Sequence, residues 1–134
     1  MGTDGWRLVP IMLAAVLCAC TGQETRRVSD AEVNAYPANY RTDIPGAVHA
    51  YLNDPTGLRD TGISEPTLRP IGGTTRYIVC VRFNAKKDGG QYGGAKEHVA
   101  VFLAGRLDQF VPAPRDLCAS AAYQPFPELE KLSR

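Results

Sequence analysis

The chain has 134 residues, with 15 Lys and Arg against 14 Asp and Glu, for a formal net charge of +1. A balance this even excludes the strongly basic face that nucleic-acid binding needs, and a chain this short holds one small domain. Two histidines and four cysteines are too scattered to supply the three or four ligands of a zinc site, so no metal and no other cofactor is expected.

Near the N-terminus, Arg7 leads into the apolar run Leu8-Val9-Pro10-Ile11-Met12-Leu13-Ala14-Ala15-Val16-Leu17. A positive start, a short apolar core and a small-residue exit form the pattern of a secretory signal peptide. The run falls short of the about 20 apolar residues that cross a bilayer as a helix, and it contains Pro10. Its exit, Leu17-Cys18-Ala19-Cys20, resembles the lipobox of small bacterial lipoproteins. The resemblance implies a diacylglycerol thioether on Cys20, cleavage just before it, and acylation (typically palmitate) of the new amine. It also implies a cell-envelope location with the membrane held through lipid. Thr21 stands where an aspartate would mark inner-membrane retention, which points to the outer membrane and a periplasm-facing domain.

The chain then divides into a lipoprotein signal peptide (1–19), a polar flexible tether (20–39) and a single small domain (40–134). Cys18 leaves with the signal and Cys20 carries lipid, so Cys80 and Cys118 remain. An exported compartment is oxidising, and two cysteines allow one intramolecular connectivity, so a disulfide is expected. Closing a loop of about 38 residues stabilises by roughly 4 kcal/mol in the chain-entropy picture.

Within the domain, Ile44, Ala47, Val48, Tyr51 and Leu52 recur at helical spacing and predict one apolar helix face. Thr42 or Asp43 is placed to cap it, and Asn53-Asp54-Pro55 to stop it. His49 points away from that stripe and reads as an exposed imidazole. Leu58 to Leu68 is a weak strand candidate around Ile63, with Pro66 marking an edge or an early end. Tyr77 to Phe83 is the strongest strand, with Tyr77, Val79, Val81 and Phe83 on one face and Ile78, Cys80 and Arg82 on the other. Val99 to Leu103 repeats the pattern, and Ala104-Gly105 predicts a tight turn into Arg106 to Val111.

Pro114 is placed to open a short helix through Leu117, Cys118, Ala121 and Ala122. Pairing Cys118 with Cys80 would lay this segment over the second sheet face, above Ile78 and Phe102. Tyr123 to Pro127 reads as extended, with a helical turn from Glu128 to Leu132. The expected fold class is α+β: a three- or four-stranded antiparallel sheet, an N-terminal helix on one face, and a short helical or extended C-terminal segment on the other.

Between the two best strands lies Lys86-Lys87-Asp88-Gly89-Gly90-Gln91-Tyr92-Gly93-Gly94-Ala95-Lys96. It lacks the order of a phosphate loop, because Glu97 follows Lys96. Glycines expose backbone amides, while Lys86, Lys87, Tyr92 and Lys96 form a candidate contact surface for an envelope protein, peptidoglycan or an anionic glycan. No Gly-x-Ser-x-Gly elbow occurs, and no catalytic residue is assigned. His98, with Asp88 or Asp108, is the only general base in view, and its ordinary reading is a strand-end surface residue. The leading expectation is a lipid-anchored, non-catalytic binding or assembly-accessory module. The alternatives are an inhibitor of an exogenous hydrolase such as lysozyme, and an envelope-polymer enzyme using His98 and a carboxylate.

Overall fold

The structure, a computed structural model, describes Gly2 and residues 27–134. The expected leader, Cys20 and the first part of the tether, through residue 26, lie outside the described residues. The described residues are α+β, with one open antiparallel sheet of six strands and three helices, two of them single turns. The sheet is larger than the three or four strands expected from the sequence.

Defined structure is present before residue 40. Helix α1 (Asp30–Val33) is one turn closed by a capping box, in which the Ser29 hydroxyl accepts from the Glu32 amide and the Glu32 carboxylate accepts from the Ser29 amide. Its Val33 carbonyl accepts from the Ala104 amide at 2.8 Å, the Tyr36 ring meets Tyr77 edge-on at 5.5 Å, and Pro37 is fully buried. Residues 29–37 therefore belong to the domain rather than to a tether.

Helix α2 (Tyr40–Tyr51) starts earlier than its expected cap. The Asn39 carbonyl accepts from the Thr42 hydroxyl at 2.8 Å and from the backbone amides of Thr42 and Asp43. Pro45 therefore sits in the second turn, where its missing N–H leaves one helical bond unmade. Ile44 and Val48 are completely buried, while Tyr51 at the end of the helix is 44% exposed.

The extra strands come from one long neighbour. Strand β3 (Thr74–Asn84) pairs along its second half with β1 (Arg59–Ile63) and along its first half with β2 (Thr67–Ile71). The segment read as one weak strand is thus two, broken at Ser64–Pro66. Pro66 has no N–H to give, and Ser64 repairs the gap. Its amide donates to the Cys80 carbonyl at 2.9 Å, and its hydroxyl accepts from the Cys80 amide at 2.8 Å. On the other side, β3 pairs with β4 (Lys96–Leu103), which pairs with β5 (Arg106–Pro112). The β2–β3 and β4–β5 hairpins turn through Gly72-Gly73 and Ala104-Gly105, all four at positive φ, as two-residue turns of this type require.

Strand alternation sorts the core onto two faces. Ile63, Val79, Val81, Phe83, Ala100 and Phe102 meet Ile44 and Val48 of α2 on the first. Ile78, Cys80, Val99 and Val101 form the second, with Cys118 above them. Phe102 pairs with Tyr77 and faces the helix, so the C-terminal segment covers Ile78 and Val101 rather than Ile78 and Phe102. The Cys80–Cys118 disulfide is formed, with Cα atoms 5.9 Å apart.

The segment carrying Cys118 is not a helix. Its bonds run Leu117 to Pro114, Ala119 to Asp116 and Ala121 to Cys118, each three residues back, and Asp116 has φ +65°. A left-handed residue breaks α-helical continuity there. The chain then passes the β1 edge as β6 (Gln124–Pro125), pairing with Ile63 and Gly62, and crosses to the helix face. There α3 (Pro127–Glu130) buries Leu129, and Phe126 just before it is equally buried. Arg41 of α2 lies over the Phe126 ring at 5.1 Å and donates to both carboxylate oxygens of Glu128, at 3.1 and 3.2 Å.

Candidate functional site

At the end of the sheet where β3 leaves for β4, the loop is a folded hairpin tip rather than open coil. The Lys87 amide donates to the Gln91 carbonyl at 2.7 Å and the Gly90 amide to the Lys87 carbonyl at 3.0 Å, while Lys86 and Tyr92 bridge across the base. Tyr92 is turned inward. Its hydroxyl donates to the Gly57 carbonyl at 2.7 Å, and the Arg59 guanidinium lies over its ring at 4.0 Å. Asn84, buried at the end of β3, accepts from the Gly94 amide at 3.0 Å and donates to Asp60 at 3.3 Å. Glycines lie beneath two of the lysines, Gly57 in a left-handed conformation at φ +65°. The Lys86 stem lies 3.0 Å from where a Gly57 Cβ would stand, and the Lys87 stem occupies the place of a Gly93 Cβ.

Under this tip is a pocket of about 220 Å³. One side is apolar, formed by Leu52 and Tyr51 at the end of α2 and by Phe83 and Ala85 at the end of β3. The other side carries Lys86, Lys87 and Lys96. None of the three pairs with a carboxylate among the described residues. The pocket opens outward into a shallow cleft of about 1030 Å³ bounded by Asp54, Asp88 and Arg134. In that cleft Asp54 accepts from the Thr56 hydroxyl and amide and pairs with Arg134 at 3.5 Å, which holds its carboxyl below the usual range.

His98 forms part of the pocket wall and is not a surface residue, being only 6% exposed. Its ring runs parallel to Phe83 at 4.5 Å and to Phe110 at 5.4 Å, with the Tyr51 ring edge-on at 5.3 Å. The Nδ1 atom is buried and has no hydrogen-bond partner. Burial lowers the imidazole pKa, and the Lys96 ammonium pushes the same way. The Lys96 backbone carbonyl pulls the other way, more strongly than that ammonium but less than burial. The ring is therefore neutral near pH 7.

Neither expected carboxylate serves His98. Asp88 stands in the outer cleft, and Asp108 lines a groove with Ile71 and Thr74 at the opposite end of the sheet. Among the described residues no cluster of His, Cys, Asp and Glu is arranged for a metal, and no helix is long and apolar enough to cross a membrane. Of the loop residues picked out in the sequence, Lys86, Lys87 and Lys96 meet at one pocket and Tyr92 braces the loop from behind. Tyr51, Phe83 and Ala85 were missed as site residues. Phe83 and His98 share a parity with the helix-facing positions of their strands, which is the one signal that joins them. No family model, curated protein or solved structure matches this chain.

Proposed function

We propose that the protein is a lipid-anchored module of the cell envelope that binds an anionic partner and performs no chemistry of its own. The observation that carries the reading is the convergence of Lys86, Lys87 and Lys96, unpaired, on one pocket at the tip of a braced hairpin. Unpaired ammoniums around a low-dielectric wall attract anions more strongly than lysines dispersed on a surface. His98 has neither a carboxylate to orient it nor a nucleophile beside it, which weighs against the envelope-polymer enzyme. The anchor rests on the lipobox resemblance of Leu17 to Cys20, and with it the outer-membrane, periplasm-facing placement. The partner class is an envelope protein, peptidoglycan or an anionic glycan.

Inhibition of a hydrolase such as lysozyme is the second reading. It is favoured by the exposed tip Asp88 to Gln91, held on a stiffened stalk that suits insertion into a cleft. A photo-crosslinker at Gln91 in the full chain tests both readings. Capture of an envelope component, lost when the three lysines become Gln, supports the first, and capture of an added hydrolase with loss of its activity supports the second. Absence of lysine-dependent capture of an envelope component refutes the first reading, and absence of hydrolase capture refutes the second. Cys20→Ala should abolish palmitate labelling and release the protein from membranes, and unchanged fractionation would remove the anchor.

A further inference from the structure

The pocket is too specific in its lining to be only a patch of positive charge. Tyr51, Leu52 and Ala85 line its apolar side, backed by the buried, mutually stacked rings of Phe83 and His98. Its volume of about 220 Å³ corresponds to roughly seven water molecules at about 30 Å³ each. That lies below the range of roughly 300–1,000 Å³ of drug-sized sites, yet leaves room for one ring and one acidic group. On the wall sits a buried imidazole nitrogen with no partner in the protein. That nitrogen is closed off from solvent, so His98 serves the pocket as a rigid part of its wall rather than as a hydrogen-bonding group.

We infer that this pocket holds a compact organic anion: a ring-sized apolar body, seated against Tyr51, Leu52 and Ala85, bearing one carboxylate or phosphate group that faces Lys86, Lys87 and Lys96. The inference rests on the binding reading above and narrows it to a ligand chemistry. Two sources present that chemistry, a free small molecule and a substituent on an envelope polymer. Lysine, a compact point charge, accepts either acidic group, whereas the apolar wall rejects a bare inorganic ion. Gly57 and Gly93 leave room for the Lys86 and Lys87 side chains beside the backbone, while Lys87 and Lys96 stay exposed at the mouth.

The test is a titration at low salt, followed by NMR of the His98 ring, with phenyl phosphate, benzoate, inorganic phosphate and benzyl alcohol as probes. Saturable shifts with an aromatic anion are expected, with inorganic phosphate and benzyl alcohol each weaker by about tenfold or more, the factor that about 1.4 kcal/mol supplies. The exposed pair Lys87→Gln and Lys96→Gln should weaken the anion by about tenfold and leave the amide spectrum otherwise unchanged. Ala85→Leu fills the cavity and should abolish binding with every lysine kept. If that variant does not fold, the probe series and the lysine pair still decide the matter. Inorganic phosphate matching phenyl phosphate, benzyl alcohol matching benzoate, or no saturable shift overturns the inference. Gln91 crosslinking in the Ala85→Leu protein separates the sources: a lost partner assigns the anion to the polymer, a retained one to a free ligand. A crosslinked partner without aromatic-anion binding leaves the binding module standing and removes only its ligand.

Discussion

The two faces of the sheet are closed by different means. The helix face has large side chains from four directions, α2, the strands, the residues around α3, and Leu58, and needs nothing covalent. The opposite face offers Ile78, Val99 and Val101 and is covered by irregular chain, which the disulfide fastens at its centre. A segment with no helix to pack as a unit brings little apolar area per residue. The cross-link supplies there what packing supplies on the other side.

The comparison breaks most sharply at Phe126. Phe126→Ala on the helix face should cost about 3–5 kcal/mol in denaturant unfolding, because its fully buried ring fills the space between α2 and β1. Removing the disulfide with Cys80→Ala and Cys118→Ala should cost about 3 kcal/mol. That is somewhat less than the chain-entropy value, because β6 still pairs with β1 beyond it. If the disulfide proved nearly neutral while Phe126→Ala unfolded the protein, the second face would owe its cover to packing after all.

A finer test on the disulfide face is Gly62→Ala. The added Cβ would stand 3.2 Å from Cβ and Cδ1 of Tyr123, a contact the ring relieves only by shifting, at a cost of about 1 kcal/mol. The smallest effects separate the faces by pH. On the helix face, burial lowers the His98 pKa, so the stability it confers is complete above the unfolded value of about 6.5 and falls as pH drops below it. His98→Phe should flatten unfolding free energy between pH 7 and pH 4. On the other face, burial and then the hydrogen bond to Glu97 raise the Tyr123 pKa. Its contribution is complete below the unfolded value of about 10 and declines as pH rises past it, a slope that Tyr123→Phe should remove.

Much of the helix face was legible in the sequence, because it depends on local periods. The spacing of Ile44 and Val48, and the alternation through Val79, Val81 and Phe83, state which side chains share a surface. The disulfide followed from counting cysteines. The number of strands did not follow. Whether a run broken at Pro66 forms one strand or two depends on the length of the partner it meets, and β3 is long enough for both. Pro114 suggested a helix that the left-handed Asp116 does not continue. The candidate site was half legible. A glycine-rich lysine loop stands out locally, but its floor combines residues 51, 83 and 98, joined only by tertiary packing. His98 looked exposed because nothing near it in sequence foretells Phe110 and Tyr51.

The path of the last residues also has a consequence for the order in which the protein is made. Phe126 and Leu129 seal the helix face, and both follow every strand of the sheet in the chain. During synthesis the helix, the long strand and both hairpins emerge while that seal is still missing. Domains that close around early segments fold as they leave the ribosome. The helix face here stays open until Phe126 and Leu129 have joined it, so every strand of the sheet is made before that side of the core can shut.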